Sequence, residues 1–193
     1  MIPSDATIPQ LRERLAQIIK ERALALGDFR LASGKRSNYF IDGKQATLDA
    51  EGVYCLARLL LAEIADDKID AVGGMTLGAD PIVGATLGVA ASMGIPLRGF
   101  IVRKERKERG MEDQVAGPLR DGDRVVMVED VVTTGGMTLK AIEAVERERN
   151  VDIVKVIAMV DRLQGAQAAV EAEGFALKSI FTIEELGIKP VVQ

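Results

Sequence analysis

Residues 125–138 read VVMVEDVVTTGGMT. Val125 to Val128 form an uninterrupted apolar run, which suits a strand covered on both faces and so a parallel sheet with helices on either side. Two adjacent acids, Glu129 and Asp130, follow where that strand is expected to end. Val131 and Val132 then lead to Thr133, Thr134, Gly135 and Gly136, just before a helix whose apolar residues begin at Leu139. In an open parallel sheet, ligands bind beyond the carboxyl ends of the strands, which is where this segment falls. Glycines let backbone N–H groups converge on one anion, threonine hydroxyls add donors, and a helix amino terminus adds a favourable dipole. The loop has the chemistry of a phosphate site.

The rest of the chain repeats the strand-helix alternation. Short apolar runs at Ala71 to Gly74, Leu97 to Val102 and Val151 to Val160 read as further strands, with helices near 81–93 and 138–149 between some of them. A helix near Ala166 to Glu173 and a strand near Ala176 to Thr182 follow, then a short IEEL turn. The class is α/β, with a doubly wound sheet. Before this region, Thr7 and Gln10 have capping-box spacing, and apolar residues recur at helical intervals from Ile8 toward Gly27. FRLASGKRSNYFID, residues 29–42, reads as a hairpin turning at Ser33-Gly34-Lys35, and Asp49 to Ala65 as a second helix. No repeat or flexible linker divides the 193 residues, so one domain is expected over 1–193.

Composition narrows the function. Histidine is absent, which removes Ser-His and Cys-His nucleophile systems and histidine-ligated metals. A net charge of −4, two tyrosines and no tryptophan argue against a nucleic-acid binder. No apolar stretch has the length of a membrane span, and the start, MIPSDATIPQLRERL, lacks the pattern of a secretory signal. The single cysteine, Cys55, lies in an apolar helical pattern and reads as a core residue of a protein in the reducing cytoplasm.

The acids beside a phosphate loop demand a partner, because carboxylates repel a phosphate unless they bind hydroxyls or a cation. A sugar phosphate carrying a Mg²⁺-chelated diphosphate offers both. A second feature fits this ligand. In RKERKERGMEDQVAGPL, residues 103–119, the cations Arg103, Lys104, Arg106, Lys107 and Arg109 fall within seven positions between two buried strands. A long polar excursion there reads as an active-site flap whose charge neutralises a departing diphosphate.

These residues carry a resemblance. VVMVEDVVTTGGMT is similar to the phosphoribosyl-diphosphate loop of the type I phosphoribosyltransferase family. FRLASGKRSNYFID resembles the amino-terminal hairpin, RKERKERG the catalytic flap, and VDR at 160–162 the arginine motif at the next strand end of its orotate-specific members. The resemblance implies that family's fold, a twisted, mostly parallel sheet flanked by helices. It also implies a small hood from about 27–45 and 175–193, and a flap at about 103–118. It implies transfer of the 5-phosphoribosyl group from 5-phospho-alpha-D-ribose 1-diphosphate to orotate, with Mg²⁺ as cofactor, no protein metal ligand, and a cytoplasmic homodimer in which the flap completes the neighbouring site. Glu129 and Asp130 would bind the ribose hydroxyls. Val131, Val132, Thr133, Thr134, Gly135, Gly136 and Met137 would surround the donor, residues 133–137 cradling its 5-phosphate. Arg103, Lys104, Lys107 and Arg109 would contact the diphosphate. Thr133 and Arg162 would contact orotate, with Tyr39 and Phe40 lining the base pocket.

Four positions depart from the family pattern. The usual flap histidine is Arg109, which keeps a positive charge but exchanges no proton near neutral pH, so its expected contribution is electrostatic. Ala32 and Gly78 stand where some members carry lysine, and Met137 where a small polar residue is usual. Two rival readings therefore stand beside the orotate enzyme: a phosphoribosyltransferase for a purine or another base, and a regulator that binds phosphoribosyl diphosphate without reacting.

Overall fold

The computed structural model describes residues 2–30, 36–105 and 113–189. The expected turn at Ser33-Gly34-Lys35 and the flap residues Arg106, Lys107 and Arg109 lie outside this set.

The chain opens with α1 (Ile8–Ile18), started by the expected capping box: the Thr7 backbone N–H donates to Gln10 Oε1 at 2.9 Å. The helical pattern stops earlier than its apolar residues suggest. It widens into a π-turn at Ile19–Ala23, and the hairpin begins at once with β1 (Leu24–Arg30) and β2 (Arg36–Ile41), which pair antiparallel. The short α2 (Lys44–Thr47) leads to α3 (Ala50–Glu63), capped by the Asp49 carboxylate, which accepts from the Gly52 N–H at 2.9 Å. Then β3 (Ala71–Met75), α4 (Ala79–Ser92), β4 (Arg98–Val102), the two-residue β5 (Val115–Ala116), β6 (Arg124–Val132), α5 (Gly136–Glu148), β7 (Asp152–Asp161), α6 (Ala166–Ala172) and β8 (Leu177–Thr182) complete the described chain.

Six strands form one sheet in the order β5-β4-β3-β6-β7-β8, parallel except for β5 against β4. Each apolar run serves two cores because successive side chains point to opposite faces. Val126 and Val128 of β6, with Ile157 and Met159 of β7, pack under α1, α3 and α4, where Leu15, Leu56 and Ile82 meet them. Val125 and Met127, with Val156 and Ala158, pack against Ile142 and Val145 of α5 and Val170 of α6. That division explains why VVMV shows no polar alternation.

Two boundaries correct the sequence reading. Strand β6 does not stop at Val128; it pairs with β7 up to Val132↔Asp161, so Glu129 and Asp130 sit within its last turns rather than beyond them. A long partner strand supplies the ladder bonds that the residues' own polarity argues against. The second concerns the span about 175–193: β8 is an edge strand of the main sheet, and the Ile183 N–H still donates to the Asp161 carbonyl at 2.8 Å, so among the described residues only 184–189 lie beyond it. That segment does meet the hairpin, where Asn38 Nδ2 donates to the Lys189 carbonyl at 3.0 Å.

Candidate active site

The order of the strands places the site. The chain lays down β3, then β4 on one side of it, and crosses to the other side for β6. Loops leaving β3 and β6 therefore diverge, and a crevice opens between their carboxyl ends, the usual ligand position in such a sheet. A cleft of about 380 Å³ lies there, lined by Met75 to Gly78 after β3, by Glu129 to Thr138, and by Lys44 and Lys104. Within the first of these segments the Thr76–Leu77 peptide is cis.

The loop between β6 and α5 turns sharply. Gly135 takes φ +81°, a left-handed conformation that glycine adopts at little cost, and a Cβ there would lie 3.3 Å from the Ala166 carbonyl oxygen. The turn starts α5 at Gly136 with no side-chain cap and no acid in its first turn. The first N–H groups of this 13-residue helix are thus directed into the cleft without a built-in anion, and the helix dipole adds to their pull.

The acids are held differently from each other. Glu129 is 8% exposed, and its Oε1 has no hydrogen-bond partner among the described residues. Burial, reinforced by neighbouring Asp130 and opposed by Lys104, pushes its carboxyl up to about 8. Asp130 is also shifted upward by burial, but the Val131 N–H donates to its Oδ1 at 2.8 Å and Lys44 works against the shift. Two glycines make room for it. A Cβ on Gly43 would sit 2.8 Å from Asp130 Oδ2, and one on Gly78 would sit 2.5 Å from Oδ1. Side chains at either position would displace the carboxylate, which gives Gly78 a physical reason to differ from lysine.

Of the residues singled out in the sequence, Lys104, Glu129, Asp130, Val131, Val132, Thr133, Thr134, Gly135, Gly136 and Met137 all line this cleft. Arg103 is turned elsewhere in this chain: its Nη1 donates to the Asp113 carbonyl at 3.0 Å. Arg162 and Tyr39 come together although 123 residues separate them, Arg162 Nε donating to the Tyr39 hydroxyl at 3.0 Å with the guanidinium 4.9 Å from the ring centroid. The Arg162 backbone N–H donates to the Val132 carbonyl at 3.1 Å, which ties the pair to the end of β6. Arg162 Nη2 is buried and without a partner among the described residues. Phe40 is not part of this group. Strand alternation turns it to the opposite face, 47% exposed, where its ring stands 5.8 Å from that of Phe29.

Sequence reasoning missed Lys44, Met75, Thr76, Leu77 and Thr138, and it treated Gly78 only as a departure. Lys44 Nζ lies 2.7 Å from Asp42 Oδ1 and 4.0 Å from Asp130 Oδ2. A lone lysine after a hairpin carries no motif. The one available signal was the Asp-Gly-Lys run directly after the hairpin's second strand, at the mouth of a turn.

A parallel sheet whose switch point joins an acid pair to an uncapped helix terminus defines a class of protein that holds phosphorylated sugars. The family described as "Phosphoribosyl transferase domain" matches residues 46–185. The orotate phosphoribosyltransferase of Aquifex aeolicus is 44% identical over 178 residues, 91% of this chain and 97% of that one. The chain belongs to the phosphoribosyltransferases, in their orotate phosphoribosyltransferase family. Solved structures agree. The Mycobacterium tuberculosis orotate phosphoribosyltransferase in complex with 5-phospho-alpha-D-ribosyl 1-diphosphate matches with a TM-score of 0.77 and 34% identity, over 92% of this chain and 99% of that one. The Aeropyrum pernix orotate phosphoribosyltransferase matches with a TM-score of 0.75 and 34% identity, over 89% and 95%.

Proposed function

We propose that this chain transfers the 5-phosphoribosyl group from 5-phospho-alpha-D-ribose 1-diphosphate to orotate, giving orotidine 5′-phosphate and diphosphate. The observation that carries the donor half is the direct run from the acid pair at the end of β6 into the uncapped start of α5, in one cleft. The acceptor half rests on relatives named for orotate and on Arg162, whose unpartnered Nη2 suits an anionic pyrimidine.

The geometry divides the work. Ribose hydroxyls donate to Glu129 and Asp130, which gives the buried Glu129 Oε1 its partner and fixes the sugar. The N–H groups of Gly135, Gly136 and Met137 hold the 5-phosphate. The bond from the anomeric carbon to the diphosphate oxygen breaks, its electron pair leaves with the diphosphate, and the ring nitrogen of orotate forms the new bond as its N–H proton passes to the departing diphosphate. Positive charge meets the growing negative charge of the leaving group, from Lys104 in the cleft and from Lys107 and Arg109 in the flap. Mg²⁺ fits as a companion of the diphosphate, whose oxygens are its natural hard ligands, and when bound it supplies charge neutralisation there. The same proposal includes a homodimer, with the flap of one subunit completing the site of its neighbour, and a cytoplasmic location. Among the described residues no helix is long and apolar enough to cross a membrane.

Steady-state rates with orotate, uracil, hypoxanthine, xanthine and adenine test the acceptor. Orotate is expected to exceed every other base by at least about a hundredfold, since a site that pairs buried polar groups rejects ligands that leave them unpaired. Turnover of a purine with none of orotate would overturn the assignment. For the flap, Arg109→Ala is expected to lose about a hundredfold in kcat and Arg109→Lys much less, because charge is the contribution. Equal rates for the two variants would refute that role.

A further inference from the structure

Lys44 belongs to none of the motifs that mark the donor site, yet it is one of two lysines lining the cleft among the described residues. Its surroundings are built. β2 ends at Ile41, the Asp42 N–H donates to the Ala23 carbonyl at 2.9 Å, and this bond fixes the hairpin's exit on the π-turn below it. Asp42 then organises the turn: its Oδ1 accepts the Lys44 backbone N–H at 3.2 Å and its Oδ2 accepts Gln45 Nε2 at 3.3 Å. The same Oδ1 lies 2.7 Å from Lys44 Nζ. The lysine head is therefore held by Asp42 within 4.0 Å of Asp130 Oδ2.

The groups facing Asp130 are few. Glu129 precedes it on β6, Lys44 and Asp42 approach from the hairpin's end, and Gly43 and Gly78 press on it without charge. Lys104, from the end of β4, acts on Glu129. Among the described residues Lys44 is thus the cation that meets Asp130, and the attraction raises Lys44's own basicity, with Asp42 the larger cause.

We infer that Lys44 is a positioning residue for the donor site: the chain Asp42–Lys44–Asp130 holds the Asp130 carboxylate aimed at the sugar hydroxyls, and so ties ribose binding to the seating of the hairpin. The inference deepens the proposed function and rests on it for the identity of the sugar. Asp130 carries two demands that conflict, since burial favours the neutral acid while hydroxyl binding is strongest to the carboxylate. Lys44 works toward the charged form, against the burial that shifts Asp130 upward. Being half-exposed, it does so without burying a second ion.

The test reads Asp130 itself. Carboxyl ¹³C titration of the ligand-free protein, with binding of 5-phospho-alpha-D-ribose 1-diphosphate measured by calorimetry at the wild-type Asp130 midpoint, is applied to wild type, Lys44→Met and Lys44→Arg, each checked for folding by thermal melting. Lys44→Met is expected to raise the Asp130 midpoint and to weaken binding severalfold, because a larger fraction of Asp130 is then neutral. Lys44→Arg is expected to restore both, because it keeps the charge. A midpoint that does not move in Lys44→Met overturns the inference, as does unchanged affinity with a shifted midpoint. A wild-type chain that binds no phosphoribosyl diphosphate would instead sink the proposed function, whatever the midpoint does.

Discussion

Glu129 shows how the site trades stability for function. Its carboxyl, raised from 4.5 to about 8, is protonated in the folded, ligand-free protein at pH values where the unfolded chain has already ionised. The stabilisation is fully present below about pH 4.5, declines as pH rises through 8, and is absent above it. Glu129→Gln removes that loss. The variant is expected to be more stable than wild type at pH 8 to 9, by up to about 4–5 kcal/mol, with the difference vanishing near pH 4.5. Its turnover is expected to fall at least about tenfold, because the neutral amide is a weaker acceptor for ribose hydroxyls. Thermal melts across pH, paired with initial rates, check both halves; a variant that melts lower at pH 8 would contradict this account of the buried acid.

At the scale of elements, the flap's base is fastened to the helix that carries the phosphate loop. Glu148, at the carboxyl end of α5, accepts the Gln114 and Val115 backbone N–H groups at 2.8 and 2.9 Å through its two oxygens. Arg147 Nη2 donates to Gln114 Oε1 at 2.9 Å, and Gln114 Nε2 donates to the Arg103 carbonyl at 2.6 Å, closing the stem across the flap. Glu148→Ala leaves two partly buried donors unsatisfied and is expected to cost about 1–3 kcal/mol in denaturant unfolding. Turnover is expected to fall more than donor affinity, since α5 keeps its phosphate-binding end while the stem loosens. A stability loss with unchanged kcat would show that the clamp is structural alone.

The same scale explains what could be read beforehand. The acid pair, the threonine-glycine loop and the start of α5 are contiguous, so their chemistry is visible in 14 consecutive letters. The extension of β6 through Val132 was not visible, because the residues that stabilise it belong to β7. Nor was the role of Thr76 to Gly78, which reach the cleft, Gly78 beside Asp130, only when β3 pairs beside β6. Tyr39 and Phe40 are adjacent letters with one suggested role, and the two-residue period of a strand separates them. The family resemblance supplied Arg162 and Tyr39 across a sequence gap that no local pattern spans.

Over the whole molecule, two cores on either face of one sheet hold the diverging loops, and the hairpin meets Lys189 through Asn38. What that assembly does is the central claim, and product formation tests it most directly. With Mg²⁺, 5-phospho-alpha-D-ribose 1-diphosphate and orotate, the purified chain is expected to release diphosphate and form orotidine 5′-phosphate in equal amounts. Omission of orotate is expected to stop both. Binding of the donor with no diphosphate released in the presence of orotate would contradict the account and leave a protein that holds its ligand without reacting.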